Sequence, residues 1–392
     1  MLLTPILLQW LQSDEAAPWL QELTQSPPAD AALLATLTHL RKRFSPAQAS
    51  ALVSMARWRH RAEKKFGKRA SSMFFDDAGL QQASPMLVAH HTARRYAAAA
   101  LCVDMGCGLG GDSIALAEAG VRVLAVDHSP LSVALTQANA RALGLSRTLQ
   151  PIRADVTRPA WDIPVAWADP GRRARGQRLF HPESLQPPLS ALLALQRHRI
   201  PHLGIKLMPG LHHAHIPAGA EAEWISLRGE LKEAVLWFGD LAKRAGRRAT
   251  LLPAGVSLWA LNARAPVRAP GHFLYEPDPA VIRAGAVGDL ANRWGLWQID
   301  EQIAYLSGDE RIETPFARSW PILDHLPFHL KTLNRRLRAM QADVIAVKKR
   351  GSPIEPEPFR RKLHRTPGGR PIIVVLTRVA QRPWMLLLQP QG

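Results

Sequence analysis

Cysteine is scarce in this chain: two in 392 residues, Cys102 and Cys107. One falls in a strand-like run and the other in a glycine turn, so they suit neither a disulfide framework nor a zinc site. Nothing therefore points to an oxidising compartment. Long apolar runs are missing too. No stretch of about 18 uncharged apolar residues occurs, which predicts no membrane span. The start, Met1-Leu2-Leu3-Thr4-Pro5-Ile6-Leu7-Leu8, lacks a basic n-region and soon meets Asp14 and Glu15. It reads as a buried helix rather than a secretion signal, and a cytoplasmic location is the simplest expectation. There is no internal repeat and no low-complexity tract. Acids are in deficit: 32 Asp and Glu stand against 50 Lys and Arg, a net charge of +18. That balance favours a polyanionic partner, nucleic acid first. The competing view is an arginine-rich composition with no partner behind it.

The charge is unevenly spread. Residues 1–40 hold four acids and no Lys or Arg, whereas residues 41–69 hold ten bases and a single acid, Glu63. Residues 328–382 hold fourteen bases and three acids. Helical spacing over 45–65, with Pro46 at a plausible first turn, marks residues 1–95 as a mainly helical lead-in. Strand-like runs at 101–104, 121–126, 149–154, 165–168 and 203–207 then alternate with helical patterns at 112–119 and 130–143. Such alternation predicts an α/β fold with an open, doubly wound, Rossmann-like parallel sheet. Residues 221–238 fit a helix or a hairpin turning at Arg228-Gly229, with the hairpin preferred. Pro and Gly cluster at 266–279. Beyond them lies a small α/β unit: helices near 328–341 and 356–364, with strands at 343–347, 371–378 and 384–388. The expected domains are 1–95, 96–265 and 266–392.

Chemistry concentrates in Asp104-Met105-Gly106-Cys107-Gly108-Leu109-Gly110-Gly111-Asp112. Glycines let a backbone turn tightly and approach a ligand closely, and the helix behind offers free N–H groups. Gly106-x-Gly108-x-x-Gly111 satisfies a dinucleotide fingerprint, and Asp127 ends the next strand, where it can meet ribose hydroxyls. The turn alone leaves nicotinamide and sulfonium cofactors both open. Further acids stand at successive strand ends: Asp155 after the third strand, and Asp169 in Ala168-Asp169-Pro170-Gly171-Arg172-Arg173 after the fourth.

Over roughly 80–260 these motifs, in this order, resemble class I S-adenosylmethionine-dependent methyltransferases. The resemblance implies S-adenosylmethionine as cofactor. Asp104, Gly106 and Gly108 would hold its methionine end, Asp127 its ribose and Asp155 its adenine edge, with Gly111 also in the cofactor site. Asp169, with Pro170 and Arg172, would face the methyl acceptor. Gly79-Leu80-Gln81-Gln82-Ala83-Ser84 resembles a segment that covers the cofactor in some RNA methyltransferases. The stretches 275–284, 348–351 and 376–379 look like the C-terminal module of bacterial THUMP-like methyltransferases, a name that implies kinship with an RNA-binding domain.

The expected activity is methyl transfer to a base nitrogen of tRNA or rRNA. Arg173, Lys348, Lys349, Arg350, Arg360 and Arg361 would contact phosphates. The aromatic residue that often follows such an Asp-Pro pair is absent; Arg172 stands there, with Phe180 or Trp161 as substitutes. A cysteine nucleophile is not expected, since both thiols lie in the cofactor strand and turn. His212, His213 and His215 read as a solvated loop, with no metal. Lys206, ending the fifth strand, can line the acceptor pocket or merely snorkel. The alternatives are a protein or small-molecule acceptor, or an RNA-binding protein that keeps the cofactor fold without catalysis.

Overall fold

The computed structural model describes residues 3–390 apart from 160, 172, 175, 176, 179 and 180. The chain divides into two compact units, residues 1–221 with 233–245, and residues 222–232 with 246–392.

The first unit opens with six helices: α1 (Pro5–Leu11), α2 (Ala17–Gln25), α3 (Leu33–Leu40), α4 (Pro46–Phe66), α5 (Asp77–Gln82) and α6 (Met86–Ala93). α4 begins where its sequence dictates. The Ser45 side chain accepts from the Gln48 amide, the Gln48 side chain accepts from the Ser45 amide, and Pro46 follows. Its buried positions include Ala49, Leu52, Met55 and Ala56, and it packs against α2.

Strand and helix then alternate: β1 (Leu101–Met105), α7 (Gly111–Glu118), β2 (Arg122–Asp127), α8 (Pro130–Ala142), β3 (Leu149–Arg153) and β4 (Val165–Ala168). A short antiparallel pair, β5 (Arg173–Ala174) and β6 (Gln177–Arg178), precedes α9 (Leu189–His198) and β7 (His202–Leu207). Strands β3, β2, β1, β4 and β7 lie in that order and are all parallel. Chain order thus runs outward in both directions from the β1–β4 pair. Such a switch point opens a crevice at the carboxyl ends of the strands, where open α/β sheets bind ligands. The doubly wound expectation holds. Beneath the crevice Tyr96, Trp167 and Trp237 pack together, and Tyr96 Oη donates to the Ala166 carbonyl at 3.0 Å. Gly204 on β7 makes room for them, since a Cβ there would collide with all three side chains.

Residues 221–238 form strands β8 (Glu221–Leu227) and β9 (Glu230–Trp237). Arg228 and Gly229 between them take φ of 54° and 81°, as a tight two-residue turn requires, so the hairpin prevails over the helix. β9 runs antiparallel to β7.

The second unit continues with the antiparallel pair β10 (Gly246–Leu252) and β11 (Val256–Ala260), then β12 (Phe273–Pro277), α10 (Pro279–Ala284) and α11 (Val287–Arg293). Its remaining elements are β13 (Trp297–Gln298), β14 (Leu306–Gly308), β15 (Ala317–Pro327), α12 (Leu330–Ala339), β16 (Ala342–Lys349), α13 (Pro356–Arg360), β17 (Arg370–Val379) and β18 (Arg382–Leu388). Seven strands form one sheet in the order β13-β14-β12-β15-β18-β17-β16, in which β16 and β17 are parallel. Leu333 and Leu337 of α12, with Phe359 and Leu363 at α13, pack on Val344, Val374, Leu376, Met385 and Leu387. The opposite helical positions of α12 expose Lys331, Arg335, Arg336 and Arg338.

Candidate active site

The glycine turn is built as its sequence implies, with one shift. Gly106, Gly108 and Gly110 have φ of 92°, 57° and 88°, in the region that favours glycine, while Gly111 is the first residue of α7. Gly110 is therefore a strained position that the Gly106-Gly108-Gly111 fingerprint passes over. At Gly106 a Cβ would come within 2.8 Å of the Asp169 carbonyl oxygen, so the β1 turn and the β4 end touch through backbone. The Asp169 amide donates to the Met105 carbonyl at 3.1 Å. Asp127 fixes the turn from β2: its Oδ2 accepts from the Gly108 amide at 3.0 Å and its Oδ1 from the Ser129 amide at 2.9 Å.

A cleft of about 700 Å³ opens over this turn, ample for a nucleoside cofactor. Gly106, Gly108, Gly111, Asp127, Asp155, Asp169 and Pro170 all line it, as does most of the 79–84 segment. That segment is α5 and the residues after it. α5 is held by Asp76, whose carboxylate caps it through the Gly79 amide, and by Lys65 of α4. Lys65 Nζ donates to the carbonyls of Leu80 and Ala83, both at 2.7 Å, and of Gln81 at 3.1 Å. Asp155 is exposed and closes a local turn, accepting from the Thr157 amide and hydroxyl, which hold its carboxyl below the usual range. It caps no helix. Gln186, Pro187 and Pro188 complete the wall, joined to the Asp-Pro turn by reciprocal backbone bonds between Gly171 and Gln186 at 2.9 and 3.1 Å. No sequence pattern marked those three.

Asp104 is placed differently from the other acids. Its carboxyl is buried behind the wall, accepting from the Ser113 hydroxyl of α7, and its Oδ1 has no partner among the described residues. Burial, reinforced by the nearby Asp112 carboxylate, pushes it up to about 8. Asp112, in the first turn of α7, lines the cleft instead. Opposite sits Lys206, almost wholly buried, with Nζ 2.7 Å from Asp169 Oδ2 and 3.6 Å from Asp112 Oδ2. Burial disfavours its charge, but the Asp169 and Asp112 carboxylates outweigh that and hold the ammonium above its ordinary range. The snorkelling alternative fails, since this amine points inward to carboxylates. Glu233 of β9 is also buried, accepts from the Ser84 hydroxyl at 2.8 Å, and is pushed up to about 7 by desolvation. Glu233 and Ser84 lie 149 residues apart, so no local signal could join them.

Both cysteines are buried and desolvation pushes their thiols well up, which removes a thiolate nucleophile. Arg172 and Phe180 lie outside the described residues, and Arg173 is described only as backbone of β5. His181, His212 and His215 gather by ring contacts. Among the described residues, no group of His, Cys, Asp or Glu is arranged to hold a metal, and no helix is long and apolar enough to cross a membrane.

In the second unit most of the bases singled out from sequence are engaged. Lys348 and Arg350 both pair with Glu276, at 2.7 and 3.3 Å, and cover the rings of Trp320 and Tyr305. Lys349 pairs with Glu355, and Arg360 Nε donates to the Val344 carbonyl at 3.3 Å. Arg361 is exposed. It is joined in sequence by Lys362 and tied to α12 through Asn334, which donates to the Lys362 carbonyl at 3.0 Å and accepts from the His364 amide at 2.7 Å.

Comparison with known proteins agrees with these features. Residues 99–197 match the RNA cap guanine-N2 methyltransferase family, residues 317–390 match a THUMP domain-like family, and residues 7–62 match a domain family of unknown function. A crystal structure from Porphyromonas gingivalis W83, described as a methyltransferase, superposes with a TM-score of 0.73 over 93% of this chain and all of its own. At 18% identity that likeness speaks for the fold. An uncharacterized S-adenosylmethionine-dependent methyltransferase of Mycobacterium tuberculosis is 37% identical over 350 residues, covering 87% of this chain and 95% of the relative. The chain belongs to the S-adenosylmethionine-dependent methyltransferases, and S-adenosylmethionine is its cofactor.

Proposed function

We propose that this methyltransferase acts on a base nitrogen of structured RNA, tRNA or rRNA, with Asp169 orienting the acceptor. The observation that carries the reading is the Asp169–Lys206 pair at 2.7 Å, at the open carboxyl edge of the sheet. The cofactor supplies an electrophilic methyl group on a sulfonium. Displacement from it asks the protein mainly to align donor and acceptor. A carboxylate 2.7 Å from a buried ammonium presents its oxygens as hydrogen-bond acceptors. It therefore suits an acceptor that offers an N–H, turning the nitrogen lone pair toward the methyl group. The proton that this nitrogen loses passes to Asp169 and on to solvent.

The remaining roles follow from the cleft walls. Gly106 and Gly108 let the methionine end approach backbone. Asp112 stands beside Lys206 at that end, and Asp104 supports it from behind. Asp127 retains free lone pairs for ribose hydroxyls, and exposed Asp155 suits the adenine amino group. Pro170 flanks the acceptor. RNA as substrate is supported by the RNA methyltransferase and THUMP-like matches and by the exposed cations of α12 and the exposed Arg361 and Lys362 that follow α13, which fit phosphate contact without sequence readout. Work in the cytoplasm is consistent with such a substrate.

The test is incubation with methyl-labelled S-adenosylmethionine and RNA from a strain lacking the protein, then nucleoside mass spectrometry. The expected result is one methylated base, lost in Asp169→Asn while cofactor binding remains. Label in protein or in small molecules, with none in RNA, would move the acceptor to another class. No label anywhere, with cofactor binding intact, would leave a cofactor-binding fold without catalysis.

A further inference from the structure

We propose that the carboxyl groups gathered around Lys206 select the cationic cofactor over its neutral-sulfur product by coupling cofactor binding to proton release. The inference rests on the cofactor of the family and is independent of which acceptor is methylated. Four carboxyls converge from four places in the first unit: Asp104 on β1, Asp112 on α7, Asp169 after β4 and Glu233 on β9. Among the described residues, Lys206 on β7 is the ammonium that acts on all of them, in contact with Asp169 and 3.6 Å from Asp112. Among the described residues, the neutral polar groups facing the cluster are the Ser84 and Ser113 hydroxyls, the Trp167 indole, the Tyr96 phenol and the Cys102 and Cys107 thiols.

Fully ionised, the cluster would bury three uncompensated negative charges, which a low-dielectric site resists by keeping protons. Asp104 Oδ1 is a buried oxygen with no partner among the described residues, and burial raises both Asp104 and Glu233 toward neutrality. Asp112, Asp169 and Ser84 form part of the cleft wall, so a ligand charge there is felt by the cluster. S-adenosylmethionine and S-adenosylhomocysteine share an ammonium and a carboxylate. They differ by the positive charge on sulfur. That charge favours the ionised carboxyls, so the cofactor drives a cluster proton into solvent and the product does not. Cofactor affinity then climbs as pH rises through the range where the free cluster still holds its proton, while product affinity stays level.

Calorimetric titration of the full chain with each ligand, in two buffers of different ionisation heat near pH 7.5, measures the protons released. The expected result is about 0.5–1 proton for S-adenosylmethionine and under about 0.2 for S-adenosylhomocysteine, with the affinity ratio rising about tenfold between pH 6.5 and 8.5. Glu233→Gln and Asp104→Asn should each reduce the release, with circular dichroism confirming that each variant folds; if one does not, the other carries the comparison. Equal release with both ligands, or an affinity ratio independent of pH, would overturn the inference alone. Binding of neither ligand would overturn it together with the cofactor assignment.

Discussion

Residues 41–69 and 328–382 carry the chain's basic excess, a net of +9 and +11, and they divide it differently between scaffold and surface. In residues 41–69 five of the ten bases turn inward or find acids, while Arg41, Lys42, Arg43, Lys64 and Lys68 stay exposed. Arg59 is buried, donating to the Met73 carbonyl at 2.8 Å and to Thr24 Oγ1 at 3.2 Å, and burial lowers it to about 10. Lys65 caps α5; Arg57, Arg61 and Arg69 pair with Asp30, Asp77 and Glu118. In residues 328–382, α12 packs its leucines on the sheet and leaves Lys331, Arg335 and Arg338 exposed, with Arg361 and Lys362 beside α13. Both charge runs thus mix scaffold with open surface: the first includes buried Arg59 and the cap Lys65, and the second pairs Lys348, Arg350 and Arg365 with carboxylates. Lys65 of the first segment supports the cleft wall through α5, and the proposed phosphate contact draws on the exposed cations of the second.

Substitutions can break that contrast. The largest effect belongs to Arg59→Ala, which orphans buried carbonyls and opens a cavity, costing about 3 kcal/mol in denaturant unfolding. Loss under about 0.5 kcal/mol would return Arg59 to the surface-charge class. Next is the triple variant Arg335→Ala, Arg338→Ala, Arg361→Ala, expected to weaken RNA binding about tenfold at physiological salt with the melting temperature unchanged. Lys65→Met should cost about 1 kcal/mol through the freed α5 carbonyls. Because α5 walls the cleft, it should also raise the cofactor dissociation constant severalfold in the same calorimeter. Arg61→Ala removes a half-exposed pair and should change stability by less than about 0.5 kcal/mol and RNA binding not at all.

What sequence could foretell follows the range of the interactions. Strand-helix alternation, the glycine turn and Asp127 at a strand end are local patterns, and each stands where periodicity and turn chemistry put it; the wall segment 79–84 was legible only through the family resemblance. Asp104 was legible as a motif residue, but its burial behind Asp112 was not. The Asp169–Lys206 pair spans 37 residues and the Ser84–Glu233 bond spans 149, so only the crossing of β4, β7 and β9 brings them together. Strand β15 went unread because Pro321 and Pro327 interrupt it and its buried and half-exposed positions do not alternate. Lys348 and Arg350 looked like free bases because Glu276, their common partner, lies 72 and 74 residues away.

The most direct measurement is the salt dependence of RNA binding for the parent chain, the α12–α13 triple variant and a matched Arg41→Ala, Lys64→Ala, Lys68→Ala variant. Each lost phosphate contact should lower the slope of log K against log salt by about 0.7–0.9. The account predicts a slope reduced by about two units in the first variant and unchanged in the second. A reduced slope for the α4-flank variant, with the α12–α13 variant unaffected, would contradict it.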